Sequence, residues 1–179
     1  MKSENELDIA IDIKYAKRVY FTFLAVAVAW NAAIFLSPLF MELGGIFTKF
    51  SMFFYYFFSP VCHQLDDRSF HLFGYKLGVC SRCTSIYLGF LIAVIFYPIK
   101  VKLSNTELPS IRFLIIPVIL IAADAFFDFF GLFANSFITR SITGAIAGFM
   151  LPFFLIPGFV KLVNDLAKSF LSKKNKSFK

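Results

Sequence analysis

The sequence predicts an all-α membrane protein, a polytopic helical bundle with four transmembrane helices and one short interfacial or re-entrant helix. Apolar residues make up 59% of the 179 residues, and the mean hydropathy is +0.75. These residues are concentrated in runs long enough to cross the hydrocarbon core of a bilayer, which is about 30 Å thick. The basic residues collect between the runs and near the chain ends, as they do in the loops of membrane proteins.

Four apolar runs have the length of a membrane span. The second is short, but the turn that begins at Cys80 extends it to the roughly 20 residues that a spanning helix needs. The connection 133–137 is tight, so the third and fourth spans are predicted to form an antiparallel hairpin. The predicted spans are 19–41, 84–99, 111–132 and 138–163.

The segment 44–60 is apolar and aromatic, but it is short, carries Lys49 and ends at Pro60. With four spans, the basic N-terminal segment, the loop with Lys100 and Lys102 and the lysine-rich tail all lie on one side. The positive-inside rule makes that side the cytoplasm. A fifth span would separate the two basic ends, so we expect segment 44–60 to be an interfacial or re-entrant helix.

This topology gives a multi-pass protein of the cell membrane with both termini in the cytoplasm. We expect a cytoplasmic segment 1–18, a single membrane domain 19–163 and a basic cytoplasmic tail 164–179. The membrane domain would carry an extracytoplasmic Cys/His loop at about 44–84. The first apolar run is longer than the apolar part of a signal peptide, which favours an uncleaved first helix.

The net charge of +7 does not point to nucleic acid, because the tail lacks the interleaved aromatic residues of a nucleic-acid groove. The expected partners are the lipid bilayer and a lipid-like small molecule.

All three cysteines and both histidines fall within the stretch VCHQLDDRSFHLFGYKLGVCSRC. Cys62 is followed directly by His63, and Cys80 and Cys83 form a C-x-x-C pair. Three thiolates and an imidazole are the ligand set of a tetrahedral Cys3His site, so the sequence predicts a metal site with zinc as the cofactor. Adjacent residues do not easily bind one ion, which makes His71 the alternative to His63.

The same cysteines allow other interpretations. Cys80 and Cys83 lie at the predicted first turn of the second span, where the helix N-terminus favours thiolates. One alternative is therefore a quinone-linked thiol–disulfide oxidoreductase that uses this pair, with Cys62 as the exchanging partner. Another is a small transporter whose cysteine loop, as a disulfide or as reduced thiols, only packs onto the bundle.

Charged residues also occur inside the predicted spans. Asp124 and Asp128 share one face of the third span, and carboxylates in hydrocarbon require partners. Arg140, beyond the tight turn, is the predicted partner of Asp128. These three residues either lock the hairpin or form a catalytic group beside the metal, at the membrane depth of Cys80 and Cys83. If the protein is an enzyme, metal-assisted hydrolysis or transfer on a lipid-like substrate suits this location.

The motifs CHQ-x3-RSF and VCSRCTSIYLGF also resemble the signature of a known family. It is an uncharacterised prokaryotic multi-pass membrane-protein family, domain of unknown function 2085. Its pattern continues with an Asp and R-x-x-TG-x-x-x-G. Ser85 and Phe129 stand where the family pattern usually has Gly. The resemblance implies a multi-pass membrane protein but supplies no reaction. The later motif positions correspond here to Asp128, Arg140, Thr143, Gly144 and Gly148.

Overall fold

The described part of the chain is helical apart from one short ladder and the loops, which confirms the all-α class. The computed structural model describes the backbone of residues 4–131 and 136–176, and the side chains of residues 12–127, 130–131 and 136–169. Its helices are α1 (Glu4–Leu43), α2 (Phe47–Phe58), α3 (Ser81–Lys100), α4 (Arg112–Phe129), α5 (Phe137–Met150) and α6 (Pro152–Lys176). The antiparallel ladder pairs β1 (His71–Leu72) with β2 (Tyr75–Lys76).

Three helical stretches in the described part of the chain are long and apolar enough to cross a membrane. They are Asp12–Leu43, Ser81–Lys100 and Phe137–Ser169, which correspond to the predicted first, second and fourth spans. The predicted third span forms α4, which is equally apolar over most of its length. It is not among these three stretches. The count of four spans is therefore not confirmed.

The aromatic segment 44–60 contains α2, which folds back along α1. At about 1.5 Å per residue its 12 residues reach only about 18 Å, too short for a bilayer core. Gly44 and Gly45 both have positive φ values, +67° and +57°, and make the reversal between the two helices. The hydroxyl of Ser51 on α2 donates to the carbonyl oxygen of Ser37 on α1 at 2.6 Å. The two helices therefore form a hairpin.

The most extensive contact between elements is that of α3 with α5. Their backbones touch: a Cβ added to Gly148 would lie 1.9 Å from the carbonyl oxygen of Ile86, and one added to Gly144 would lie 2.6 Å from that of Arg82. Small residues at four-residue spacing allow such an approach in membranes. Ser85, where the family pattern has Gly, still packs closely, 3.3 Å from the Cβ position of Gly144.

The basic segments meet at one end of the bundle. Lys168 on α6 forms an ion pair with Asp12 on α1, with a distance of 3.1 Å between Nζ and Oδ2. Tyr97, near the end of α3, packs in the same core cluster as Ala16 of α1. The cysteine end of α3 lies at the other end of this helix, about 30 Å away for 20 residues.

We predict that Gly148→Ala destabilises the protein, because the added methyl group must push α3 and α5 apart. Overpacking of this kind typically costs about 1–3 kcal/mol. Gly158→Ala is the matched control: it lies in α6, and its Cβ would have no neighbour within 4 Å. The midpoint of thermal unfolding in detergent should fall for Gly148→Ala and stay level or rise for Gly158→Ala. Equal midpoints would contradict the close contact.

Candidate metal centre

The three cysteines come from two separate parts of the chain and meet in one cluster. Cys62 follows the end of α2, Cys80 is the residue before α3, and Cys83 lies in the first turn of α3. Their Sγ atoms all lie within 4.8 Å of one another. Cys62 is buried, and the other two are half-buried. Three sulfurs this close can bind one metal ion.

Backbone N–H groups point at the sulfur of Cys62. The N–H of Cys80 lies 3.2 Å from this Sγ, and the N–H of Gln64 lies 3.5 Å from it. These two contacts hold the Cys62 side chain toward the start of α3. Gln64 itself has a positive φ of 49°.

The surroundings of Cys80 favour its thiolate, the form that binds a metal. Its pKa lies well below the ordinary value, first because the Cys62 side chain hydrogen bonds to it and then because Cys83 does so. The backbone N–H groups of Cys83 and Arg82 add to this effect, while burial opposes it. The surroundings of this sulfur therefore stabilise a negative charge.

Gln64 fixes the loop that carries Cys62. Its side-chain Nε2 donates to the carbonyl oxygen of Tyr55 on α2 at 2.7 Å and to that of Gly78 at 2.9 Å. The Lys76 ammonium group donates to the Gln64 carbonyl oxygen at 2.8 Å. The segment before α3 is thereby tied to the end of α2. The sequence alone predicts no role for Gln64, and its place in the CHQ motif is the only sequence feature that could have indicated one.

The two histidines lie outside the sulfur group. His63 is exposed, and among the described side chains neither histidine contributes a ring nitrogen to that group. The ring of His71 is also exposed, and its Nε2 lies 3.3 Å from Oδ1 of Asp66. His63 nevertheless lines the same cavity as the cysteines. Its assignment as the fourth ligand stays a prediction.

The cysteine cluster opens onto a cavity of about 220 Å³. Three arginines from different parts of the fold line it together with the cysteines, so guanidinium groups lie beside the sulfurs. Arg140 on α5 is 7% exposed and is the most deeply buried of the three. The close approach of α5 to α3 brings this guanidinium to the cysteines. The lining residues are Val61, Cys62, His63, Gln64, Leu65, Arg68, Cys80, Arg82, Cys83 and Arg140.

Asp124 has a partner that was not predicted from the sequence. Its carboxylate accepts a hydrogen bond from the guanidinium of Arg82, the residue between Cys80 and Cys83. The two side chains are 12% and 23% exposed, so the ion pair is largely removed from solvent. The predicted partner of Arg140, the Asp128 side chain, lies outside the described residues. The positive charge of Arg82 is the sequence feature that could have indicated this pair, because a carboxylate in an apolar helix needs a cation nearby.

A family model described as "Predicted membrane protein (DUF2085)" matches residues 62–170, which is more than half of the chain. The chain belongs to this family. The match begins at Cys62, so the DUF2085 region includes all three cysteines, the cavity arginines and helices α3 to α5. This confirms the resemblance read from the CHQ, RSF and CSRC motifs.

Two uncharacterized archaeal proteins are similar to the chain, and one of them covers more of it than the family match does. An uncharacterized protein of Methanocaldococcus jannaschii is 39% identical over 150 residues, which cover 82% of this chain and 96% of that protein. An uncharacterized protein of Methanothermobacter thermautotrophicus is 34% identical over 92 residues, 51% of this chain and 80% of that protein. No solved structure matches the chain.

We predict that Gln64→Asn exposes the sulfur of Cys62. Asn tolerates the positive φ, but its side chain is one methylene shorter and loses the bonds to Tyr55 and Gly78. Each lost hydrogen bond is worth about 1 kcal/mol, so alkylation of Cys62 should be about fivefold faster or more in metal-free protein. Mass spectrometry of the Cys62 peptide measures this rate. Asp67→Asn, an exposed change in the same loop, is the control, and equal rates in all three proteins would contradict the role of Gln64.

Proposed function

We propose that this protein is an integral membrane protein that binds one metal ion through Cys62, Cys80 and Cys83. The observation that carries the proposal is the convergence of the three sulfur atoms within 4.8 Å. Cysteines that only packed a loop would not need hydrogen-bond donors aimed at their sulfurs. Cys62 has two such backbone donors, and the backbone N–H groups of Cys83 and Arg82 hydrogen bond to Cys80.

Zinc is the ion that this donor set favours. Thiolates are soft ligands, and tetrahedral sites with three or four of them are typical of zinc. In the bound state the ion would join the end of α2 to the first turn of α3, and so it would order the loop between them. A structural role follows from that position, because the regular structure of the loop is limited to one 3₁₀ turn, Asp66–Arg68, and a two-residue ladder.

The fourth ligand decides between a closed and an open site. His63 lies at the cavity, and a turn of its exposed side chain toward the sulfurs would complete a closed Cys3His site. A closed site is structural, whereas catalysis requires an open position. With an open position, Arg140 and the carboxylates of Asp124 and Asp128 would support metal-assisted chemistry on a lipid-like substrate.

We further propose four spans, with both termini in the cytoplasm of the cell and the cysteine cluster toward the outer face. The ion pair of Lys168 with Asp12 supports this arrangement, since it joins the two basic terminal segments at one end of the bundle. The pair of Arg82 with Asp124 supports α4 as the third span, because it neutralises a charge within that helix.

A thiol–disulfide oxidoreductase is the second candidate, favoured by the lowered pKa of Cys80 in its C-x-x-C pair. Oxidation of Cys80 and Cys83 to a disulfide releases two electrons and two protons, which a membrane quinone would accept to become a quinol. All three cysteines are free thiols in the structure.

We predict about one zinc ion per chain in the purified protein, measured by elemental analysis beside a thiol titration. Cys62→Ser, Cys80→Ser and Cys83→Ser should each lose the metal, because a serine hydroxyl is a poor zinc ligand. His63→Ala should lower the affinity if it supplies the fourth ligand. His71→Ala, which removes an exposed histidine outside the sulfur group, is the matched control and should keep the metal.

Absence of metal together with a reducible Cys80–Cys83 bond would replace this function with the oxidoreductase. Absence of both, with normal stability of the cysteine variants, would leave only a packing role.

The orientation predicts which engineered cysteines react with a membrane-impermeant maleimide on intact cells. Asp67→Cys, in the exposed loop between α2 and α3, should be labelled from outside. Ser110→Cys, in the exposed connection before α4, should be labelled only after the membrane is opened. The wild-type chain measures the background from the native cysteines. The reverse pattern would overturn the proposed topology.

A further inference from the structure

The cavity beside the cysteines has the character of an anion site. Arg68, Arg82 and Arg140 reach it from the loop, from α3 and from α5. An Asp67 carboxylate oxygen lies 3.7 Å from Nε of Arg68, and Asp124 pairs with Arg82. A guanidinium carries five N–H donors, whereas one carboxylate engages at most two of them side by side. Arginines that already have a protein partner can therefore still bind phosphate oxygens.

Arg82 shows this spare capacity directly. One of its terminal nitrogens donates to Asp124, while its Nε is buried and has no hydrogen-bond partner within the described part of the chain. An unsatisfied buried donor destabilises a protein, so a ligand oxygen at this position would be stabilising. At about 220 Å³ the cavity is smaller than the sites of drug-sized ligands and suits a group such as phosphate.

An apolar groove of about 400 Å³ adjoins this cavity. Val61 lines both of them, and Tyr87 of the groove lies one helical turn along α3 from Cys83 of the cavity. The groove is lined by side chains of α1 and α3 that present almost no polar surface. Its lining residues are Phe23, Val26, Ala27, Trp30, Asn31, Val61, Ile86, Tyr87, Phe90 and Leu151.

The depth of the cavity favours a lipid over a soluble ligand. The loop before α3 is hydrogen-bonded to α1 at Ile34, where the N–H of Gly78 donates to the carbonyl oxygen. From the level of this hydrogen bond, α1 continues for about another 14 Å to its end at Leu43. Beside it, α2 exposes an aromatic face that requires an apolar environment, so lipid would surround the wall of the cavity. The exposed aromatic residues of α2 are Phe47, Phe50, Phe53, Tyr56 and Phe57.

We propose that the cavity and the groove together bind one phospholipid with an anionic head group. Its phosphate lies against Arg68, Arg82 and Arg140, and one of its chains lies in the groove between α1 and α3. This inference rests on the lipid-like ligand of the proposed function and names its chemical class. It does not require the metal ion.

Native mass spectrometry of the full-length protein in detergent tests this proposal with lipids that share the same acyl chains. Phosphatidylglycerol should bind about tenfold more tightly than diacylglycerol, which lacks the phosphate. Inorganic phosphate and glycerol phosphate should displace phosphatidylglycerol poorly, because neither fills the groove.

Arginine variants assign the selectivity to the cavity. Arg68→Gln and Arg140→Gln should each reduce the affinity for phosphatidylglycerol about tenfold and leave that for diacylglycerol unchanged. Arg68 lies at the more exposed side of the cavity, so its variant keeps the test valid if the buried Arg140→Gln does not fold. Arg112→Gln, an exposed arginine at the start of α4, is the charge-matched control and should behave as the wild type.

Equal binding of phosphatidylglycerol and diacylglycerol would mean a non-selective lipid surface and would overturn the proposal. Displacement by inorganic phosphate at concentrations equal to the lipid would assign the cavity to the free ion and would also overturn it. The zinc content of the same samples separates the two hypotheses. Selective lipid binding without metal would refute the metal function alone, and metal without lipid selectivity would refute this inference alone.

Discussion

The close contact of α3 with α5 is the constraint on which the cysteine end of the molecule depends. The carbonyl oxygens of Ile86 and Arg82 lie where the Cβ atoms of Gly148 and Gly144 would be, so no side chain can stand between the two backbones. This approach brings Arg140, one turn before Gly144, to the cavity that the cysteines line. A wider spacing of the helices would remove the buried guanidinium from the cluster.

The second requirement is a loop that returns Cys62 to the start of α3. The chain meets it with hydrogen bonds between polar groups: the Gln64 amide binds the backbone on both sides of the loop, and Lys76 binds the Gln64 carbonyl oxygen. The N–H of Gln64 also donates to the Cys62 sulfur. These bonds hold Cys62 near the start of α3, an arrangement that would lower the ordering cost of the proposed metal binding.

Much of the helical fold followed from the length of the apolar runs, because a bilayer-length run satisfies its backbone only as a helix. The sequence predicted the second helix from Cys80 onward, and α3 begins at Ser81. The number of spans did not follow in the same way. Helix α4 carries Asp124, whose cost in a membrane depends on the Arg82 side chain of another helix. Hydropathy along one segment contains no information about such a partner.

By itself, the sequence determined that the chain is a helical membrane protein of the DUF2085 family and that its thiols and imidazoles are concentrated between two apolar helices. Spacing also put Cys80 and Cys83 on one face, since that relation is local. Only the tertiary structure decided that Cys62 joins them, that His63 and His71 lie outside the sulfur group, and that arginines line the adjoining cavity. Those relations depend on how the helices and the loop pack against one another, and no periodicity within a single segment encodes that packing.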